Sequence, residues 1–286
     1  NYRQPDGDPA PDPFLRLLSG SVTGINTVGF TATHPGVVPA TVEVGFDLRI
    51  MRVSNQGDGI SFAWLDTSLW GRGGNAPQFG EEPSLAGSFG VGFDPVNNGE
   101  VSDNHVSLHF NGSKLAEFNL NTLMPGFRLD DGKFNHARIV IEAVADGSKV
   151  SVYLTPQGGS EVAIVEDYFI AGMLAYEGRM AFGARNGGWR ANNDIDSVTL
   201  ALTPGTAPVF PELSLGATTS GTLGTASEVD RFAFTLDAGT RVYFDSLTNN
   251  ANFSWSLTGP RGAEVSGRAL TQSDSSAGNP LLDLAA

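Results

Sequence analysis

Apolar and polar residues alternate in short runs along most of the chain, and clusters of Gly, Pro, Asn and Asp separate the runs. A period of two sends successive side chains to opposite faces of a strand, so one half of each run can line a core. The longest run is 41–52 (TVEVGFDLRIMR). Runs 137–143 (ARIVIEA) and 149–154 (KVSVYL) flank Ala145-Asp146-Gly147-Ser148, which reads as a tight hairpin with Gly147 at positive φ. Further strands are predicted over 59–65, 88–94, 105–111, 178–184 and 194–203, and one helical turn over 167–175. Many short strands between turn signals predict an all-β sandwich or barrel.

The pattern breaks at 203–211 (TPGTAPVFP), where three prolines among small residues make a stiff linker. Alternation resumes over 229–236 (VDRFAFTL), 241–247 (RVYFDSL) and 252–257 (NFSWSL). The expected organisation is a β domain over 1–203, a linker over 204–209 and a second, smaller β-sandwich domain over 210–286. Little sequence follows 281–284 to close a second sheet, so that domain is expected to lack its last strand, and either to belong to a longer polypeptide with further domains, the favoured alternative, or to receive the strand from a neighbouring copy. The polar start, Asn1-Tyr2-Arg3-Gln4, has no signal-peptide pattern and suits a processed or excised piece, or a cytoplasmic chain.

Charge narrows the partners. The 286 residues carry 31 Asp and Glu against 17 Lys and Arg, a formal net charge of -14. Such a surface repels nucleic acid and anionic membranes, and no apolar run reaches the ~20 residues that would insert into a bilayer. The lysines are Lys114, Lys133 and Lys149, with arginine supplying the other basic groups. An acidic, lysine-poor surface fits a salty or extracellular setting, and a coding bias toward arginine would give the same count. The absence of cysteine excludes disulfides, zinc–thiolate sites and a thiol nucleophile.

The densest chemistry lies in 90–105 (GVGFDPVNNGEVSDNH). A strand ends at Asp94, a polar loop follows and His105 opens the next strand. Oxygens from Asp94, Asn98 and Asp103 can converge on one hard cation such as Ca2+; an Asx-rich turn without a metal has the same composition.

This segment resembles the legume-type (L-type) lectins. In that family a strand ends Glu-x-Asp, an Asn follows four residues on and an Asp five further, and a His opens the next strand. Asp94, Asn98 and Asp103 have that spacing, and His105-Val106-Ser107-Leu108-His109-Phe110 looks like the next strand. Gly92 stands where the family has Glu, and the interval from Asp103 to His105 is shorter than usual. The resemblance implies a concanavalin A-like jelly roll and a retained Ca2+ site on Asp94, Asn98 and Asp103, with a backbone carbonyl at Val96. It makes a second, transition-metal site doubtful, because Gly92 removes a carboxylate; His105 is then structural or a ligand to a weak second metal.

Upstream, Gly57-Asp58-Gly59-Ile60-Ser61-Phe62 looks like the lectins' Ala-Asp-Gly-Leu-Ala-Phe. The resemblance makes Asp58 the acceptor of sugar hydroxyls after a cis peptide; an ordinary Asp-Gly turn is the plain alternative. Downstream, 179–186 (RMAFGARN) and 193–200 (NDIDSVTL) are similar to the family's last two strands, and Gly187-Gly188-Trp189-Arg190 falls at its specificity loop. Trp189 reads either as a sugar-stacking platform or as packing at the sandwich rim. The carbohydrate-binding set implied is Asp58, Asn98, Gly188, Trp189 and Arg190. Residues 221–242 resemble the pre-peptidase C-terminal domains of secreted bacterial proteins, which implies export, a modular parent and an extracellular or cell-surface location.

Three functions are weighed. The first is a calcium-dependent glycan-binding module without enzymatic activity, its partner a glycan or polysaccharide. The second is a structural or adhesive spacer of a surface protein or filament. The third, a glycoside hydrolase of the same fold, needs two carboxylates across the scissile bond, and the matching strand offers only Asp94. His34, His105, His109 and His136 lie in no recognisable nucleophile context.

Overall fold

Strands form where alternation lets one face be buried. A computed structural model of the chain describes residues 14–54, 57–206, 209–224, 229–259, 262–273 and 281–285; the polar start of the first domain and two linker residues lie outside these. The chain divides into two units, 1–208 and 209–286.

The first unit contains twelve strands among its described residues: β1 (Leu15–Leu18), β2 (Gly24–Gly29), β3 (Pro39–Ser54), β4 (Gly59–Asp66), β5 (Phe89–Asp94), β6 (His105–Phe110), β7 (Ser113–Asn119), β8 (Asn135–Val144), β9 (Gly147–Thr155), β10 (Val162–Ala171), β11 (Gly178–Asn186) and β12 (Arg190–Pro204). They make two six-stranded antiparallel sheets, ordered β1-β12-β3-β8-β9-β10 and β2-β11-β4-β5-β6-β7, packed face to face as a jelly-roll sandwich. Phe46 of β3 sits at the centre of the shared core, with ring centroids 6.1, 5.8 and 4.9 Å from Phe62, Phe93 and Phe182 of the opposite sheet. The last two meet edge to face, the favoured aromatic arrangement.

In the second sheet, Ile60, Phe62, Trp64, Phe89, Val91, Phe93, Val106, Leu108 and Phe182 point into this core. By alternation Ser61, Gly90, Gly92, Asp94, His105, Ser107, His109, Gly183 and Arg185 belong to the other face. That face is covered along 79–85 by a strap of chain, whose Phe79 and Leu85 pack with Ala63, Leu65 and Ala181. The strap lies close because the strands beneath it carry little: a Cβ on Gly92 would collide with the Glu81 carbonyl and Ser107 Oγ, and one on Gly183 with the Phe79 carbonyl. Ser61 Oγ donates to the Gly80 carbonyl, and Phe79 N–H to Thr27 Oγ1 at 3.1 Å.

Four local expectations are corrected. The 167–175 segment is not a helical turn; 162–171 is β10, paired with β9 through register irregularities on either side of Val165. Asp167 sits there at φ 52°, and the resulting bulge blurs the alternation that would mark a strand. At the β8–β9 hairpin, Asp146 rather than Gly147 takes positive φ, at 62°; Gly147 is small because a Cβ would strike the Ile170 carbonyl. The Gly57–Asp58 peptide is trans, and no cis bond occurs among the described residues. Residues 229–236 form no strand; Ala233 makes only an isolated bridge to Glu212.

The second unit holds two separate ladders among its described residues, β13 (Thr240–Tyr243) with β16 (Leu281–Leu284) and β14 (Ser254–Gly259) with β15 (Gly262–Ala269). Phe244 stacks on Trp255 at 3.8 Å. Among the described residues no helix is long and apolar enough to cross a membrane.

A buried ion triad ties β1, β12 and β3 together. Asp194, fully buried, accepts from Arg16 Nε at 2.7 Å and from Arg49 Nη2 at 2.9 Å, while the Arg49 guanidinium lies 4.6 and 4.3 Å from the rings of Phe14 and Phe134. Removing one member of such a group strands the other charges. Asp194→Ala is expected to cost about 3–5 kcal/mol, read as a lowered urea midpoint; a shift corresponding to under ~1 kcal/mol would show that solvent reaches the arginines.

Candidate functional site

Asp94, His105 and Arg185 lie on the strap-covered face, and Asp58 at its edge. Asp58 immediately precedes β4, where Gly59 takes φ 145° and a Cβ would collide with the Phe93 carbonyl. The Asp58 carboxylate accepts from the Gly187 N–H, so it abuts the 187–190 loop. Its Oδ2 is buried without a hydrogen-bond partner, 3.5 Å from Arg185 Nε. Arg185 Nη1 also donates to Glu81 Oε1 at 3.0 Å. One arginine thus serves Asp58 from β4 and Glu81 from the strap. Burial pushes both carboxyls above their ordinary values, against the pull of Arg185.

The loop beside Asp58 is braced from within. Asn186, at the end of β11, donates to the carbonyls of Ser19 and Ala191 at 3.1 and 2.9 Å, and its Oδ1 accepts from Ala191 N–H at 3.0 Å. Gly188 is exposed, Trp189 is 42% exposed, and Arg190 Nη1 reaches the Ser21 carbonyl at 3.4 Å. Asn192 Oδ1 accepts from Gly20 N–H at 2.9 Å. The sidewalls are fixed while the tip stays open to solvent.

Asp94 ends β5 and is 1% exposed. Its Oδ1 accepts from Val96 N–H at 2.6 Å, which brings those two predicted residues together. Burial, with Glu81, Glu100 and Glu82 nearby, pushes its carboxyl up to about 9. Asn98 is exposed, its N–H donating to the Glu100 carboxylate. Asp103 is turned to other partners: Oδ2 accepts from Arg128 Nη1 and Oδ1 from Asn121 Nδ2, each at 2.8 Å. His105 is fully buried with Nδ1 2.9 Å from the Ser102 carbonyl. Buried carboxylate and loop carbonyl oxygens among acidic neighbours suit a hard cation such as Ca2+. The donor set that the lectin resemblance implies for a second metal does not fit, because Gly92 supplies no carboxylate and the strap leaves room for none.

Sequence reasoning missed Glu81, Glu82, Arg185, Lys114 and Glu117. Alternation along β11 puts Arg185 opposite Phe182 and Ala184, a usable signal; nothing local assigns the strap glutamates to a site.

No family model matches the chain, and no curated protein does. Several solved structures resemble it in part. The exoplasmic/lumenal domain of VIP36 in a Ca2+/Man3GlcNAc-bound form is 18% identical over 70% of this chain and 84% of that one, with a TM-score of 0.47. Peanut lectin with a nonapeptide is 16% identical over 66% of this chain and 87% of that one, at 0.44. Lectin II from Ulex europaeus is 14% identical over the same shares, at 0.42. Likeness at this level concerns the course of the chain and says nothing of ligands.

The buried carboxyls set a pH dependence. Between the ordinary 3.8 and about 9 the folded chain holds a proton at Asp94 that the unfolded chain releases, so stability falls as pH rises through that window. His109, depressed to about 4 mainly by burial, adds the opposite slope only below its ordinary 6.5. In calcium-free buffer the thermal midpoint should therefore drop between roughly pH 7 and 9, and Asp94→Asn should flatten the drop. An unchanged slope in that variant would place the proton elsewhere.

Proposed function

We propose that the first unit is a calcium-dependent, lectin-like glycan-binding module. The observation that carries this reading is the placement of Asp58: its carboxylate, held by the Gly187 N–H and Arg185, abuts a braced loop whose Gly188 and Trp189 face solvent. An acceptor so placed suits a sugar hydroxyl, and an exposed indole suits the apolar face of a pyranose ring. In this reading Asn98 and Arg190 add polar contacts around the ring.

Ca2+ would be held by Asp94, Asn98 and the Val96 carbonyl, with Asp103 joining by exchange of its Arg128 partner. The ion would offset the charge gathered at Asp94, Glu81, Glu82 and Glu100. The acidic, lysine-poor surface suits an extracellular or cell-surface module of a larger bacterial protein.

A single-ring site with few hydroxyl contacts binds weakly unless repeated, so the test uses a multivalent glycan surface. Asp58→Ala should abolish binding in calcium while shifting the unfolding free energy by no more than about 1 kcal/mol, because Arg185 is half exposed and keeps Glu81. Chelation of calcium should abolish wild-type binding and lower the thermal midpoint. Failure of Asp58→Ala to fold would make Asp58 a structural turn residue. Wild-type binding to no glycan at all would favour the spacer.

A further inference from the structure

A second cluster, formed by the strap and the β6–β7 hairpin, is distinct from the residues assigned to calcium or sugar. One ring nitrogen of His105 and one carboxylate oxygen from each of Glu82 and Glu117 lie within 4.8 Å of one another. His105 faces the Ser102 carbonyl through Nδ1, so Nδ1 carries the proton and the lone pair is on Nε2. Nε2 is buried and has no hydrogen-bond partner, although an imidazole acceptor sealed from water ordinarily has one. Glu117 is held by its other oxygen, Oε2, which accepts from the Val101 N–H at 3.2 Å.

A cation already stands in this cluster. Lys114 Nζ is 3.1 Å from Glu82 Oε1 and 2.5 Å from Glu117 Oε1. Residues three apart on a regular strand point to opposite faces. Here the register slips between Leu108 and His109, and the extra residue on β7 returns Lys114 and Glu117 to one side. The bulge therefore builds the pairing. The ammonium cancels one of two negative charges and cannot donate usefully to every acceptor present, whereas a divalent ion would balance both carboxylates and take the imidazole lone pair. One imidazole and two carboxylates suit Zn2+, Mn2+ or Co2+ rather than Ca2+.

We propose that Glu82, His105 and Glu117 form a transition-metal site guarded by Lys114, whose ammonium occupies the metal's place and must swing out before a metal can enter. The lysine side chain is one-third exposed, so its stem can leave without disturbing the core. The carboxylates come from the strap and from β7, not from the strand position occupied by Gly92. The proposal stands independently of the glycan reading.

The test is titration with Co2+ in saturating calcium, which keeps the Asp94 loop occupied, followed by visible absorption and calorimetry. Lys114→Met keeps the stem and removes the competing charge; it should bind one Co2+ about tenfold or more tightly than the wild type. Adding His105→Gln should abolish that gain and the imidazole-dependent absorption. Lys114→Arg should stay as weak as the wild type. Equal affinity in wild type and Lys114→Met, binding in neither, or a gain that survives loss of His105 would each overturn the proposal. If Lys114→Met fails to fold, Lys114→Gln replaces it with the same readings, and a wild-type Co2+ site unaffected by His105→Gln overturns the proposal without either variant.

Discussion

The strap over 79–85 is the constraint on which the rest of the first unit's chemistry depends. A second layer of backbone can lie on a sheet only where the strands beneath have little or no side chain. Gly90, Gly92 and Gly183 provide this: a Cβ on any of them would meet Pro83, the Glu81 carbonyl or the Phe79 carbonyl. Once seated, the strap removes from water a face that carries Asp94, His105, Ser107 and His109. It also adds two adjacent glutamates. Glu81 goes to Arg185, which it shares with Asp58, and Glu82 to Lys114, near His105 and Glu117. Neighbouring residues of one short segment therefore serve two different clusters.

Desolvation gives these clusters their character. A carboxylate loses far more on burial than an exposed ion pair returns, so buried acids hold protons or attract cations. The structure meets that demand sparingly. Arg185 serves Asp58 and Glu81, and Lys114 serves Glu82 and Glu117. The opposite sheet shows the contrasting solution, because Asp194 has two arginines and needs no added ion. Carboxylates that share a single cationic partner are thus gathered around one sheet, whereas this triad in the other is fully paired.

The same strap explains the departure at Gly92. Strand β5 ends in Asp94 with the register expected, yet the position two residues earlier lies beneath the strap backbone and admits no side chain. Carboxylates still collect beside His105, but they reach it from the strap and from β7.

By itself the sequence determined what depends on local period and turn chemistry. Runs 41–52, 137–143 and 149–154 lie within β3, β8 and β9, because burying one face rewards alternation whatever the partner strand. Asp94 ending one strand and His105 opening another were legible for the same reason. Local signals failed at Asp167, where a bulge imitates a helix start, at Asp146, which took the positive φ expected of its glycine neighbour, and over 229–236, where alternation found no pairing strand among the described residues. Only the tertiary structure decided that Glu81 meets Arg185 and Glu82 lies beside His105, that Asp103 turns to Arg128, and that Lys114 stands between two glutamates. Those facts depend on what one segment finds when it is laid across another, and charge–charge contacts between residues tens of positions apart leave no periodic trace in a single chain.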